Sequence, residues 1–250
     1  MSENQKKVWI TGASSGIGKA VAEKFAKEGW RVAVSARRKE ILDDMAKNHN
    51  ISSYPLDVVN EENCFNTFQK IISEFTEIDL CVFCSGTYDP KKEKEIDLKQ
   101  NRFVMDVNYF GVLNCVKTVE KYFKDKKKGH ISIVSSIAGY RGLPNSSGYG
   151  PSKAALNNFA ESIFFDFKKY NVRISIISPG FIKTPLTDKN DFPMPFLRST
   201  EFAAEKIYDG LTKSNSFEIH FPKQITLILK FLRILPYKIY LFLIYKLYKR

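Results

Sequence analysis

The apolar positions of the chain follow two periods in alternation, and each period predicts one kind of element. Short apolar runs predict buried strands, and stretches whose apolar residues return every three or four positions predict helices packed against them. The predicted strands are Val8–Ile10, Arg31–Ser35, Ser53–Leu56, Leu80–Cys84, His130–Ser135 and Arg173–Ser178. The predicted helices are Lys19–Glu28, a stretch ending near Asn48, Glu61–Glu74, Asn101–Phe123 and Gly148–Tyr170. Strands separated by helices predict an α/β fold with a Rossmann-type doubly wound parallel β-sheet flanked by helices.

The length of 250 residues suits a single domain with one sizeable core. We assign residues 1–216 to this body and residues 217–250 to a C-terminal amphipathic helical tail. Pro236 divides the tail into two predicted helices, Lys223–Leu235 and Tyr237–Arg250. Residues 188–199 contain two prolines and several apolar side chains, which favours a loop.

A glycine-rich segment joins the first predicted strand to the first helix. Gly12 permits a tight exit from the strand, Gly16 lets the backbone approach a pyrophosphate, and Gly18 allows close helix–strand packing. Ser14 and Ser15 add hydroxyl donors, and the helix N-terminus offers free N–H groups to phosphates. The segment predicts a dinucleotide-binding loop, with an ordinary strand-to-helix turn as the alternative.

The end of the second strand bears on the choice of cofactor. Proteins that bind NAD usually place an acid there, which accepts hydrogen bonds from the ribose hydroxyls. This chain instead has Arg37 and Arg38, whose guanidinium groups can pair bidentately with phosphate oxygens. The two arginines therefore predict NADP(H), with a pair of solvated surface arginines as the alternative.

A phenol and an ammonium lie four residues apart at a predicted helix start. Tyr149 and Lys153 would share one face of that helix, about one turn apart. A nearby cation favours the phenolate, so we expect Lys153 to lower the pKa of Tyr149 and to make proton exchange possible near neutral pH. Ser136, just past the fifth strand, could hydrogen-bond the same substrate oxygen.

In combination these motifs resemble the short-chain dehydrogenase/reductase family, over a match that runs from Val8 to about Thr184. The family's glycine motif matches Thr11, Gly12, Gly16, Ile17 and Gly18, and its catalytic tetrad matches Asn108, Ser136, Tyr149 and Lys153. The resemblance adds further cofactor-binding positions at Asp57, Val58, Ser85, Gly86, Pro179, Gly180, Ile182 and Thr184. One motif departs: the usual Asn-Asn-Ala-Gly is Phe83-Cys84-Ser85-Gly86 here, so the bracing of the central strands by Asn side chains is not expected.

The resemblance implies a reductase mechanism. NADPH would deliver hydride to a carbonyl carbon, and Tyr149 would protonate the forming alkoxide. Lys153 would depress the pKa of Tyr149 and hold the nicotinamide ribose, while Ser136 would position the carbonyl oxygen. Asn108 would hold a water molecule in a proton relay to Lys153. Family members are commonly dimers or tetramers, which implies a homodimer or homotetramer here.

The net charge of +12 is unevenly distributed, because residues 217–250 hold seven basic side chains and one acid. Lys223, Lys230 and Arg233 form a narrow stripe on the first tail helix, and Lys238, Lys246 and Lys249 form one on the second. Broad apolar faces beside basic stripes are typical of helices that lie on an anionic membrane surface. An oligomer interface and a flap over the substrate cleft are the alternatives.

Membrane contact through residues 223–250 would favour a lipid-like ketone as substrate, and the apolar loop residues Phe192, Met194 and Phe196 agree with it. The alternative enzyme is a soluble reductase of small ketones or 3-oxoacyl groups whose tail assembles subunits. A third hypothesis is an NADPH-sensing binding protein that uses its basic surface.

The remaining features point to a cytoplasmic protein. The first residues show no signal peptide, no apolar run approaches the length of a spanning helix, and four cysteines suit reduced thiols. The tail is too aliphatic for the wet basic groove of a nucleic-acid-binding protein. We therefore expect neither nucleic acid nor metal as a partner.

Overall fold

The computed structural model describes residues 5–248. Its strands are β1 (Lys7–Thr11), β2 (Arg31–Ser35), β3 (Ile51–Ser53), β4 (Leu80–Phe83), β5 (Gly129–Val134), β6 (Val172–Pro179) and β7 (Glu218–Phe221). Its helices are α1 (Gly16–Lys27), α2 (Lys39–Met45), α3 (Glu61–Phe75), α4 (Leu98–Met105), α5 (Gly111–Lys126), α6 (Tyr149–Lys168), α7 (Thr200–Lys213), α8 (Lys223–Ile234) and α9 (Tyr237–Tyr248). A π-helical turn, Asp106–Phe110, joins α4 to α5.

All the strands belong to one parallel sheet in the order β3-β2-β1-β4-β5-β6-β7. The order reverses between β1 and β4, which is the switch point where open parallel sheets bind their ligands. The predicted class, a Rossmann-type doubly wound sheet with helices on both faces, is confirmed. The sheet is buried on both faces, as its near-continuous apolar strands require.

Two apolar cores lie on opposite faces of the sheet. On one face α3, α5 and α6 cover a cluster that includes Trp9, Phe68, Phe83 and Phe123. On the other face α1, α2 and α7 cover a cluster that includes Ile10, Phe25 and Leu42. Because these cores hold the central strands rigidly, the loops at the carboxyl ends of β1, β4, β5 and β6 have fixed starting points.

One strand prediction is wrong in its bounds, and one strand escapes prediction. The third strand is expected at Ser53–Leu56 and lies at Ile51–Ser53. Main-chain bonds from Tyr54 and Leu56 to the oxygens of Val34 and Ala36 continue past Pro55, so the segment stays beside β2 after the regular strand ends. The seventh strand, β7, was not predicted at all. It pairs with β6 within the segment assigned to the tail, so the sheet continues past residue 216 and the helical tail begins at Lys223.

The tail helices pack beside the residues that follow β5. Ile225 and Leu229 of α8 contact Ile137 and Tyr140, and the Tyr240 hydroxyl of α9 donates to the Gly142 oxygen at 2.6 Å. The two helices divide at Pro236, as expected, but Lys249 and Arg250 lie outside the described residues. Within residues 5–248, no helix has the length and apolar character needed to cross a bilayer.

The predicted basic stripe of α8 is only partly open to solvent. Lys230 forms an ion pair with Glu218 of β7, and the Lys223 ammonium lies 3.0 Å from the His220 ring nitrogen Nε2. Arg233 remains exposed, as do Lys238 and Lys246 on α9. Part of the stripe therefore anchors the tail to β7.

Candidate active site

A cleft of about 410 Å³ opens at the carboxyl edge of the sheet, at the switch point between β1 and β4. Every residue predicted to bind the cofactor lines it. These residues are Gly12, Ser14, Ser15, Gly16, Ile17, Gly18, Arg37, Arg38, Asp57, Val58, Ser85, Gly86, Tyr149, Lys153, Pro179, Gly180, Ile182 and Thr184. Ser136 lines the same cleft, whereas Asn108 is fully buried behind it. The topology thus brings residues from seven separate segments to one opening.

The glycine loop is packed so tightly that side chains could not be accommodated at two positions. Gly12 has φ +68°, and a Cβ there would lie 2.7 Å from the carbonyl carbon of Cys84 on the neighbouring strand exit. A Cβ on Gly18 would lie 2.4 Å from the carbonyl oxygen of Gly12. The loop therefore folds back on the start of α1 and leaves its main chain open to a ligand.

The start of α1 is suited to phosphate groups. Its N-cap residue, Ser15, makes no side-chain capping hydrogen bond in the described chain, and the first turn holds no acidic residue. Its orphan N–H groups and positive dipole end therefore remain available to an anion. The residues present fit the pyrophosphate of a dinucleotide.

Arg38 is held against the glycine loop. Its guanidinium donates to the hydroxyl and to the main-chain oxygen of Ser14, at distances of 2.9 to 3.2 Å. Arg37 is exposed beside it at the same mouth of the cleft. Asp57 lies farther along this mouth, where its carboxylate accepts from the Val59 N–H at 3.2 Å. The group of side chains suits the adenosine end of a dinucleotide.

Tyr149 and Lys153 occupy the first turns of α6 and face the cleft together. The Lys153 ammonium is buried, donates to the Val134 oxygen at 2.9 Å, and lies 5.6 Å from the centre of the Tyr149 ring. The Ser136 hydroxyl is close enough to the phenol to favour its ionised form. An acid, a hydrogen-bond donor and a cation thus border one point in the cleft.

The electrostatics differ from the expectation that Lys153 lowers the pKa of Tyr149. Burial raises the pKa of Tyr149 to about 12, and the Ser136 hydroxyl only partly opposes this rise. Burial also lowers the pKa of Lys153 to about 8. Desolvation of the charged form is the largest cause of both pKa shifts. The predicted direction is therefore wrong for the protein chain itself.

Asn108 braces the segment after β4. Its amide oxygen accepts from the Thr87 N–H at 2.6 Å, and its amide nitrogen donates to the Thr87 oxygen and to the Ser152 hydroxyl, both at 3.0 Å. Both amide hydrogens are therefore used within the protein, so the side chain's donors are not free for the predicted water. The bracing expected to be missing with the Asn-Asn-Ala-Gly motif is supplied by this amide and by the Thr11 hydroxyl, which accepts from Cys84 N–H at 3.3 Å.

Two loops meet beside Tyr149. The Tyr88 ring lies 4.6 Å from the Tyr149 ring, centre to centre. Lys94 forms a 2.6 Å ion pair with Asp191, which joins the segment after β4 to the loop at 188–199. Lys189 approaches the Tyr88 oxygen from the same loop at 3.5 Å.

Sequence reasoning missed Tyr88 and Glu93 as neighbours of the catalytic tyrosine. Glu93 is buried, and its carboxylate accepts from the main-chain N–H groups of Gly148 and Tyr149. It lies in the run Pro-Lys-Lys-Glu-Lys-Glu at 90–95, whose composition is typical of a solvated surface. The sequence holds no signal that separates Glu93 from its exposed neighbours.

Comparison with known proteins agrees with this geometry. Residues 6–193 match the sequence profile of the short chain dehydrogenase family. An uncharacterized oxidoreductase of Myxococcus xanthus is 34% identical over 232 residues, which are 91% of this chain and 91% of the relative. The 3-oxoacyl-(acyl-carrier-protein) reductase FabG of Thermotoga maritima is 33% identical over 190 residues, covering 72% of this chain and 75% of the relative.

Solved structures show the same fold with either cofactor. ElxO with NADP bound superposes with a TM-score of 0.75 at 28% identity, over 86% of this chain and 97% of that one. A short chain dehydrogenase/reductase from Burkholderia phymatum in complex with NAD gives a TM-score of 0.78 at 20% identity, over 92% of this chain and 94% of that one. The fold and the profile match define a Rossmann-fold oxidoreductase. The chain belongs to the short-chain dehydrogenase/reductase family.

Proposed function

We propose that the protein is an NADP(H)-dependent oxidoreductase that interconverts a ketone and a secondary alcohol. The observation that carries the proposal is the convergence of Ser136, Tyr149 and Lys153 on one end of a cleft whose other end is a phosphate-binding helix start. A dinucleotide held along the cleft would bring its reactive ring to the three side chains. The cofactor, when bound, supplies the hydride.

The protein's own residues then handle the proton and the carbonyl oxygen. Tyr149 has a pKa well above neutral, so it is protonated and can donate to the oxygen of a ketone as charge develops there. Ser136 orients the same oxygen by a hydrogen bond. Lys153 holds the ribose side of the cleft and places a cation near the developing negative charge.

Arg37 and Arg38 support NADP(H) over NAD(H). Both guanidiniums lie at the mouth of the cleft that suits the adenosine, and no carboxylate follows β2 there. Arg38 is already oriented by its bonds to Ser14, so it loses less side-chain freedom on binding a 2′-phosphate.

A lipid-like ketone at an anionic membrane surface is the substrate and setting that we propose. The outer faces of the tail helices expose large apolar side chains that include Phe231 (60% exposed), Ile234 (76%) and Tyr237 (76%). Lys223–Tyr248 holds no Asp or Glu, and Arg233, Lys238 and Lys246 are exposed among these apolar groups. Such a surface complements headgroup phosphates and the acyl boundary beneath them.

The position of the tail beside the Ser136 end of the cleft supports this proposal. Its inner residues pack on Ile137 and Tyr140, which directly follow Ser136, and Phe181 joins the same cluster. A ketone leaving a bilayer at α8 would therefore have a short path to Tyr149.

A soluble 3-oxoacyl-type reductase is the second candidate, favoured by the similarity to the reductase of Thermotoga maritima. In that case the outer faces of α8 and α9 would be covered by a second copy in a homodimer or homotetramer. The two candidates share the chemistry at Tyr149 and differ in substrate and assembly.

The proposed reaction predicts that Tyr149→Phe abolishes ketone reduction and leaves cofactor binding intact, because only the proton donor is removed. NADPH oxidation is followed across long-chain, sterol-like, 3-oxoacyl and small aromatic ketones, with and without vesicles. Tyr170→Phe, which alters an exposed tyrosine past the end of α6, is the matched control and should retain full turnover. Turnover that survives in Tyr149→Phe would rule out this assignment, and NADPH binding without turnover of any ketone would favour the cofactor-sensing hypothesis.

A further inference from the structure

The helix that presents Tyr149 is capped locally at Gly150, whose N–H donates to the Ser146 hydroxyl at 2.9 Å, and it needs another acceptor for the two N–H groups before Gly150. Its N-cap residue is Gly148, which has no side chain to accept from the free N–H groups of the first turn. Glu93, from the segment after β4, takes that place. One carboxylate oxygen, Oε2, accepts from the N–H groups of Gly148 and Tyr149, each at 2.9 Å.

The carboxylate of Glu93 is buried at a cost in free energy. Its side chain is only 3% exposed, and its second oxygen, Oε1, has no hydrogen-bond partner among residues 5–248. A buried acceptor that lacks a partner costs free energy, so its presence calls for a compensating role. Burial raises the pKa of Glu93, while the two main-chain hydrogen bonds and the helix dipole favour the ionised form and offset part of that rise.

The same segment also contacts the ring of the catalytic tyrosine. The Tyr88 ring lies tilted against the Tyr149 ring, with 4.6 Å between their centres, and the Tyr88 hydroxyl donates to the Asn145 oxygen at 2.9 Å, which fixes its orientation. The main chain of Tyr149 is therefore held by Glu93 and its ring by Tyr88. Both contacts come from a single loop that the ion pair Lys94–Asp191 ties to the loop at 188–199.

We infer that Glu93 is a positioning residue that fixes the first turn of α6 and thereby aims the Tyr149 phenol at the substrate oxygen. The inference rests on the proposed role of Tyr149 as proton donor. Glu93 touches neither substrate nor cofactor in this scheme, because it acts through the main chain of its neighbour. A proton donor that is displaced by about 1 Å lowers the rate of the reaction by up to about 100-fold, so small shifts of the first turn of α6 should affect kcat.

Glu93 also places a negative charge near the phenol. Its charge raises the pKa of Tyr149, together with the burial of that side chain. The other titratable groups around the pair are Asp89 and Tyr88 from the same segment and Cys84 and Lys153 inside the cleft. Loss of the Glu93 charge should therefore favour the phenolate at lower pH.

The test compares Glu93→Ala, Glu93→Gln and the control Glu95→Gln, which removes the same charge from an exposed position two residues away. Amide hydrogen exchange at Gly148 and Tyr149, NADPH affinity, and kcat and KM for the fastest ketone of the screen are measured. In Glu93→Ala we expect exchange at both amides to accelerate and kcat to fall about ten-fold, with KM and NADPH affinity unchanged. The amide oxygen of Glu93→Gln keeps both hydrogen bonds and should restore most of kcat.

The pH profile separates positioning from simple helix capping. Reduction needs the protonated phenol, so the rate falls as pH rises through the pKa of Tyr149. The alkaline limb of the pH–rate profile should move to lower pH in Glu93→Gln, whereas it should stay in place in Glu95→Gln.

Unchanged kcat in folded Glu93→Ala, or equal losses of kcat, NADPH affinity and thermal stability, would overturn the inference. If the unaltered protein reduces no ketone, the proposed function fails, while unchanged exchange at the two amides would still refute the contact's role.

Discussion

Lys153 and Tyr149 are held where water is scarce, and this alters both of their charge states. Burial raises the pKa of Tyr149 and lowers that of Lys153, so the pair at neutral pH consists of a neutral phenol and a still mostly protonated ammonium. Such perturbed groups are common at catalytic centres because proton transfer needs them. The protein therefore bears a cost in stability for its candidate catalytic lysine.

That cost predicts a pH-dependent stability difference in Lys153→Met. The folded pKa of Lys153 is about 8 against 10.5 when exposed, so the penalty is full below pH 8 and disappears as pH rises to 10.5. The unfolding free energy of the unaltered protein should gain up to about 3 kcal/mol relative to the variant across this interval. The hydrogen bond to Val134 is lost at every pH and does not affect the slope.

Urea denaturation at pH 6.5 and at pH 9.5 measures this effect. Lys70→Met, which alters an exposed lysine of α3, should show no such slope. Parallel stability curves for Lys153→Met and the unaltered protein would contradict a buried ammonium at this position.

Arg37 and Arg38 predict a cofactor preference that depends on single residues. Arg37→Ala and Arg38→Ala should each weaken NADPH binding about ten-fold or more and leave NADH binding nearly unchanged, because a charge-assisted hydrogen bond to the 2′-phosphate is lost. Fluorescence titration with both cofactors measures the ratio. Lys39→Ala removes the next cation, which pairs with Asp43, and should alter neither affinity. Equal weakening of both cofactors would assign the arginines a general role in the loop.

At the scale of single elements, sequence patterns succeeded where burial was continuous and failed where it was mixed. The central strands and the glycine loop follow from apolar runs and from spacing, so they were predicted with nearly correct bounds. In β7 only Ile219 and Phe221 are buried, and this short alternation at a sheet edge did not stand out in an aromatic-rich tail. Likewise the burial of Glu93 cannot be predicted from the sequence, since it depends on the path that a charged loop takes in the fold.

One arginine of the body, Arg141, holds the tail at the junction of its two helices. The Arg141 guanidinium lies 2.7 to 3.2 Å from the main-chain oxygens of Leu232, Arg233 and Leu235 at the end of α8. It also stacks on the rings of Tyr237 and Tyr240. A cation at a helix C-terminus satisfies orphan carbonyls and the negative end of the dipole.

Arg141→Ala should therefore loosen α8 and α9 while the body stays folded. We expect amide exchange to accelerate in both helices by a factor of roughly 30, corresponding to about 2 kcal/mol for charge-assisted bonds to carbonyl groups. Exchange in β1, β4 and β5 should stay unchanged. Arg102→Ala, at an exposed position of α4, is the control. Uniform acceleration across the sheet would show that the tail and the body unfold as one unit.

For the whole molecule, two parts of the net charge of +12 have separate explanations. Part of it surrounds the cleft, where Arg37 and Arg38 face the proposed phosphate. Another part is the tail, where some cations hold β7 and the others lie among exposed apolar side chains. The first set could be predicted from its place after β2, whereas the division of the second set depends on tertiary contacts.

The proposed membrane surface predicts binding to vesicles of phosphatidylcholine and phosphatidylserine. Co-sedimentation should fall sharply for the double variant Phe231→Glu and Phe242→Glu, and it should weaken with added salt because surface charges are screened. Phe165→Glu is the matched control, since Phe165 is an equally large apolar side chain, 67% exposed, on α6 and not on a tail helix. Equal recovery of all three proteins in the supernatant would reject the membrane, and a change in oligomeric state confined to the double variant would favour a subunit interface.

The outermost strand of the sheet joins the tail to the cofactor cleft. Phe221 ends β7, its oxygen accepts from the Gly180 N–H at 2.7 Å, and α8 starts two residues later. Gly180 borders the cleft, so a cofactor in the cleft and a partner bound to the tail would contact directly connected stretches of backbone. Thermodynamic linkage makes any such communication reciprocal: the factor by which an occupied tail changes cofactor affinity equals the factor by which cofactor changes the affinity of the tail. Occupancy of the cleft would then change the affinity of the tail for its partner by that same factor.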